Sequence, residues 1–122
     1  MNWNKLESID QLSSVIKESH ENPVTIFKHS VRCSISSMVL GRFERSHESN
    51  SSDDINQTFY FLDLIRNRDV SNAIESELGV THQSPQVVIV HKGEAIFDAS
   101  HIGINYDEVK EKLKGISSVN KE

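Results

Sequence analysis

The sequence predicts an α/β domain in which a mixed central β-sheet is flanked by helices, with the element order β-α-β-α-β-α-β-β-α. Three observations predict it. Short β-branched and aromatic runs at Val24–Phe27, Thr58–Leu64 and Gln86–Val90 alternate with stretches of helical apolar period. The last two strands are separated only by a short turn containing Lys92-Gly93, which reads as a hairpin. Finally, 122 residues, 36% of them hydrophobic and 25% charged, suit one domain around one modest core.

Each element has its own signal. A short strand around Trp3 opens the order. Ser8-Ile9-Asp10-Gln11 fits a capping box, and Ile9, Leu12, Val15 and Ile16 recur at helical spacing, so a helix spans about Ile9 to Ser19 before Asn22-Pro23. Val24–Phe27 is apolar on both alternating faces, as in a buried central strand, with Lys28 and His29 as its polar end. Ile35, Met38, Val39 and Phe43 then describe a helix with one apolar face. Ser46 to Gln57 is polar and serine-rich, a surface loop or frayed helix end. Thr58–Leu64 is the next strand; Val70, Ala73, Ile74 and Leu78 form a helix stopped by Gly79. Pro85 precedes the strand Gln86–Val90, and Ala95–Ala99 pairs back on it. Asn105 caps a last helix with Asp107 and Glu108 in its first turn and lysines toward its end, matching the helix dipole, and Gly115 is expected to stop it. Residues 1–115 therefore form the domain and 116–122 a short polar tail. This order is the architecture of the thioredoxin fold.

Composition excludes several function classes. The longest apolar runs are four residues, such as Val87–Val90, far short of the ~20 that cross a bilayer. The N-terminal MNWNKLESID has neither a basic nor an apolar leader region, so a cytoplasmic setting is expected. A formal charge of −5 gives no overall attraction to nucleic acid. The single cysteine forms no internal disulfide, and a chain of this size needs none.

That cysteine is the leading site candidate. Ligands of open α/β sheets bind beyond the carboxyl ends of the strands, and Cys33 lies where Val24–Phe27 hands over to a helix. Unpaired N–H groups and the positive end of the helix dipole there favour the nucleophilic thiolate, and Arg32 and Lys28 add positive charge nearby in sequence. Cys33-Ser34-Ile35-Ser36 is C-x-x-S, so a dithiol mechanism within one chain is excluded, while Ser36 could donate its hydroxyl to the thiolate. Because 18 of the 122 residues are serine, that spacing alone is weak. The competing reading of Cys33 is a small buried hydrophobe, but such cysteines sit in apolar runs and this one does not.

Pro85 opens a strand, where a missing N–H is tolerated. A trans bond is the default there; in a thioredoxin fold the corresponding proline is cis, lies beside the active cysteine, and directs the backbone of the preceding residue, Ser84, toward an extended substrate. His29, Cys33 and His82 are the only set the fold could gather for a metal, and no metal-ligand spacing such as C-x-x-C or H-x-x-x-H occurs, so no metal site is expected. His20, His47, His91 and His101 read as solvated. Trp3, Phe59, Tyr60 and Phe61 read as core.

Phe27-Lys28-His29-Ser30-Val31-Arg32-Cys33-Ser34-Ile35-Ser36, Leu62-Asp63-Leu64-Ile65 and His82-Gln83-Ser84-Pro85-Gln86, in this order and spacing, carry a family resemblance. From about Trp3 to Lys114 the chain resembles the YtxJ-type monothiol bacilliredoxins, also called bacillithiol system redox-active proteins. The resemblance implies a thioredoxin fold, a cytoplasmic setting, no tightly bound cofactor, and removal of bacillithiol from S-bacillithiolated proteins, with bacillithiol as thiol co-substrate. It matches Cys33 to the active cysteine, Ser36 to the serine replacing a resolving cysteine, and Pro85 to the cis-proline. Arg32 and Ser34 depart from the family's Thr-Cys-Pro-Ile-Ser form. The implied mixed disulfide on Cys33 must be resolved by an external thiol, bacillithiol or a partner redoxin, because no second cysteine exists. Arg32, Ser34, Ser84 and Lys28 are the candidate substrate contacts, Arg32 and Lys28 for the malate carboxylates of bacillithiol. A monothiol glutaredoxin-like cluster carrier and a non-catalytic interaction module on the same fold are the alternatives.

Overall fold

The structure, a computed structural model, describes residues 3–49 and 58–120. The elements are β1 (Trp3–Lys5), α1 (Ile9–Glu18), β2 (Val24–His29), α2 (Ser34–Ser49), β3 (Thr58–Asp63), α3 (Arg68–Leu78), β4 (Gln86–His91), β5 (Glu94–Ser100) and α4 (Tyr106–Asn120), with a 3₁₀ turn at His101–Gly103. One five-stranded sheet has the order β1-β3-β2-β4-β5. The first three strands are mutually parallel, and β4 and β5 are antiparallel additions. Thr25 lies opposite Phe59 on one side of β2 and Ile89 on the other.

Strand alternation divides the interior into two cores. Val24, Ile26, Val88 and Val90 point to the face covered by Leu12 and Val15 of α1 and Val70 and Ile74 of α3. Phe27, Val87 and Ile89 point to the opposite face, packed by Val39 and Phe43 of α2 and Val109 and Leu113 of α4. Trp3 stacks on Phe43 and meets Phe27, Phe59 and Phe61 edge-on, with ring centroids 5.7–6.1 Å apart, as its core assignment required. His47 is drawn into that aromatic group, 5.3 Å from Phe59 and 5.2 Å from Tyr106, which corrects its reading as a solvated residue.

The local signals mostly act as read. The Ser8 side chain accepts the Gln11 N–H at the start of α1, although the returning Gln11 side chain accepts from Glu7 N–H instead of closing the box on Ser8. Gly79 ends α3 in the left-handed conformation, with φ 67°. Lys92 and Gly93 both have positive φ (54° and 77°), the type I′ pattern that matches hairpin twist. The Asn105 side chain accepts from the Asp107 and Glu108 N–H groups at the start of α4.

Three expectations are corrected. α4 does not stop at Gly115 but continues to Asn120, and partly buried Ile116 packing on the second core supplies the reason. β2 does not end at Phe27; Lys28 and His29 are strand residues buried with the rest. The inward stripe of α2 is Ser36, Val39 and Phe43, whereas Ile35 and Met38 are exposed. Of the expected polar segment Ser46 to Gln57, residues 46–49 are the last turn of α2 and the remainder lies outside the described residues.

Gly115 lies inside a helix with open space where a Cβ would be and no positive φ. Gly115→Ala is therefore expected to raise stability by about 0.5–1 kcal/mol, measured by urea unfolding. A helix ending there in the left-handed conformation would instead lose stability.

Candidate functional site

The site lies at the carboxyl end of β2. From His29 the chain makes a short turn through Val31 and Arg32, closed by Cys33 N–H donating to Ser30 O at 3.2 Å, and Cys33 O then accepts from Ser37 N–H at 3.2 Å as α2 begins. Cys33 is thus the residue just before the helix, partly exposed, at the end where N–H groups lack intrahelical partners. The next strand over contributes Pro85. Lys28 pairs in register with Gln86, so one step further the antiparallel ladder brings Pro85 toward His29 and the turn that follows it. The Ser84–Pro85 bond is cis, and Pro85 O accepts from His101 N–H at 3.0 Å, tying β5 and the 3₁₀ turn to the same corner.

Arg32 and Ser34 flank Cys33 and are exposed, as a substrate contact requires. Ser84 is partly exposed, but its Oγ is buried and has no hydrogen-bond partner among the described residues. Val31, Ile35 and Met38, close to Cys33 in sequence, are 47–61% exposed; Ile102 of the 3₁₀ turn is exposed too, and its carbonyl accepts from Arg42 of α2.

Two candidates sit elsewhere than expected. Ser36 is fully buried, and its hydroxyl takes the Ser30 N–H at 3.1 Å and lies 2.7 Å from His29 Nδ1. The sequence expectation that it donates to the thiolate is corrected: its side chain turns inward and ties the start of α2 to the end of β2. Lys28 is also fully buried, with Nζ 2.8 Å from His82 Nδ1 and 3.0 Å from Gln86 Oε1, so it does not reach solvent to meet a substrate carboxylate. The reason is shared. Strand β2 has a neighbour on each edge and a core on each face, so Lys28 and His29 take internal partners, while the buried Thr25 Oγ1 has none among the described residues.

The electrostatics follow. Burial pushes Lys28 down from 10.5 to about 8, with Arg68 adding to the effect and Glu75 opposing it. Burial also lowers His29, against the pull of Asp63, and His82, with Lys28 the next cause. Burial thus favours the neutral form of both imidazoles, and because an ammonium only donates, His82 Nδ1 accepts from Lys28. Among the described residues no group of three His, Cys, Asp or Glu side chains is placed to hold a metal ion. Sequence reading missed the partners Ser71, whose Oγ is 3.2 Å from His82 Nδ1, Glu75, whose carboxylate accepts the His82 N–H, and Gln86. The one available signal was that Lys28-His29 and His82 to Gln86 belong to the same recurring motif set.

A partly exposed cysteine just before a helix, and a cis-proline opening the adjacent strand of a five-stranded mixed sheet, define the class: a thioredoxin-fold oxidoreductase with one cysteine. The sequence profile of the family described as monothiol bacilliredoxin BrxC matches residues 4–109, and the chain belongs to that family. Solved structures agree on the fold. One described as having a thioredoxin fold, and proposed as an oxidoreductase, is 31% identical over 88% of this chain and 89% of its own, with a TM-score of 0.73. The thioredoxins of Trypanosoma brucei brucei (14% identical, 96% and 92% covered, TM-score 0.71) and Malassezia sympodialis (17% identical, 93% and 90% covered, TM-score 0.69) share the fold alone. No helix among the described residues is long and apolar enough to cross a membrane.

Two outcomes are expected. Ser36→Ala strands the Ser30 N–H and the His29 ring nitrogen, and should cost about 1–3 kcal/mol in urea unfolding while Cys33 is still alkylated by iodoacetamide. For Lys28, the folded value of about 8 lies below the unfolded 10.5, so between those pH values the unfolded chain holds a proton that the folded chain has released. Stability contributed by this group therefore rises with pH across that window. Wild type should gain on Lys28→Met from pH 8 to 10.5 by up to ~3 kcal/mol, read as the difference between their urea midpoints; parallel pH profiles would contradict it.

Proposed function

We propose that this protein removes bacillithiol from S-bacillithiolated proteins by thiol–disulfide exchange at Cys33. The observation that carries the reading is the partly exposed Cys33 at the start of α2, the chain's one cysteine, in a member of the monothiol bacilliredoxin family. The Cys33 thiolate attacks the bacillithiol sulfur of the mixed disulfide; a Cys33–bacillithiol disulfide forms, the client's sulfur–sulfur bond breaks, and the client leaves as a thiolate that takes a proton from solvent. A second thiol, bacillithiol or a partner redoxin, then attacks the bacillithiol sulfur on Cys33. It leaves as a disulfide with bacillithiol and frees Cys33 as a thiolate, so the disulfide bond passes from the client to the external thiol.

The surrounding residues fit this order of events. Exposed Arg32 is the candidate partner for the malate carboxylates, and Ser34 at the helix start lies on the same open side. Ser84 and Pro85 form the edge along which an extended client segment would lie. The exposed Val31, Ile35, Met38 and Ile102 would cover the apolar part of the client. Ser36 acts in this scheme by holding the turn that carries the cysteine.

The test is incubation of the reduced protein with a cysteine peptide in mixed disulfide with bacillithiol, followed by intact-mass analysis. Wild type should release the peptide thiol and gain the mass of one bacillithiol at Cys33, and added bacillithiol should remove it. Cys33→Ser should do neither, while its unfolding midpoint shifts by no more than about 1 kcal/mol. A wild type that stays unmodified, or a Cys33→Ser variant that still releases the thiol, would remove the proposal.

A further inference from the structure

We propose that Lys28 and His82 are positioning residues for the site, a clamp of buried Lys28 on half-buried His82 that holds the 81–86 segment in the shape a client strand needs, and that neither contacts the substrate. This deepens the proposed exchange at Cys33 and rests on that reading for its activity readout. The geometry carries it. Segment 81–86 leaves the end of α3, passes through Ser84–Pro85 and enters β4 at Gln86. One ammonium grips it at two points: Lys28 Nζ is 2.8 Å from His82 Nδ1, three residues before Pro85, and 3.0 Å from Gln86 Oε1, one residue after it. Gln86 Nε2 then donates to Thr81 O at 3.0 Å, joining the two ends of the segment through a side chain. α3 adds two anchors, Ser71 Oγ 3.2 Å from His82 Nδ1 and the Glu75 carboxylate 2.5 Å from His82 N.

A clamp of this kind is a costly way to fill a core. A buried ammonium is held at the expense of its hydration, and an apolar side chain of similar volume would stabilise the fold as well or better. What a charge supplies, and an apolar contact does not, is directional: it fixes which nitrogen of His82 carries the proton and where the ring and the Gln86 amide lie. Those two residues bracket Ser84 and Pro85. The titratable and charged groups that face Lys28 from the elements around it are the imidazole of His82 in the segment and Glu75 and Arg68 on α3, and the Lys28 ammonium donates its hydrogen bonds to His82 and Gln86 without a substrate charge.

The discriminating variants are His82→Leu, which removes the acceptor, and His82→Asn, whose amide oxygen replaces Nδ1 as acceptor for Lys28. Two measurements are made on each. With the bacillithiolated peptide, His82→Leu should lower kcat/KM at least about tenfold, while His82→Asn retains most of the activity and both variants keep the wild-type rate of Cys33 alkylation by iodoacetamide. By amide hydrogen exchange, His82→Leu should lose protection at Gln86 and at His101, whose N–H bonds to Pro85 O, while the centre of β2 keeps it and His82→Asn resembles wild type. Full peptide exchange by His82→Leu, or an alkylation rate that falls in step with it, overturns the positioning role. If the wild type proves inactive on the peptide, the exchange reading fails alone, and the amide measurement still decides: unchanged protection in His82→Leu overturns the clamp, and selective loss restored by His82→Asn supports it.

Discussion

Strand β2 is buried from Val24 to His29, paired to β3 on one edge and β4 on the other, and its last two residues are a lysine and a histidine. Everything near the site depends on how those two side chains are satisfied. Water is excluded from both faces of the strand, so each polar group must find protein partners or forfeit a large solvation energy. Because successive residues of a strand point to opposite faces, Lys28 and His29 look for partners in opposite directions.

Lys28 points to the α1/α3 side and finds His82 and Gln86; His29 points to the α2/α4 side and finds Ser36, with the Phe61 ring 5.4 Å away. One residue therefore secures the segment carrying Ser84 and Pro85, and the other secures the helix that begins beside Cys33. The thiol sits between two parts of the chain that are positioned from the same strand end. A displacement of β2 would move both together, which preserves their relation while Cys33 itself stays partly exposed.

The same division explains the surface of α2. With Ser36, Val39 and Phe43 turned inward, the neighbouring apolar positions Ile35 and Met38 are left outside. A helix whose only task was packing would bury Ile35 ahead of Ser36. Here the inward serine completes the hydrogen bonding of a buried histidine, and apolar area is left on the outer side of the helix that follows Cys33.

The sequence by itself determined the element order, the hairpin, the helix caps at Ser8 and Asn105 and the place of Cys33 before a helix, because these depend on periodicity and on local hydrogen bonding between near neighbours. The resemblance in its motifs also placed the cis bond at Pro85. It did not determine the direction in which Ser36 and Lys28 point, since an i+3 serine and a lysine near a cysteine look equally well placed to serve the thiol in a linear reading. Nor did local pattern place His47 among the aromatic rings or carry α4 past Gly115, where core contacts outweigh a glycine's weak helix preference. Those outcomes were decided by tertiary structure. Burial on both faces of β2 makes an unpaired polar group far more costly than any local preference, and His82 and Gln86, the partners that relieve Lys28, lie 54 and 58 residues away along the chain.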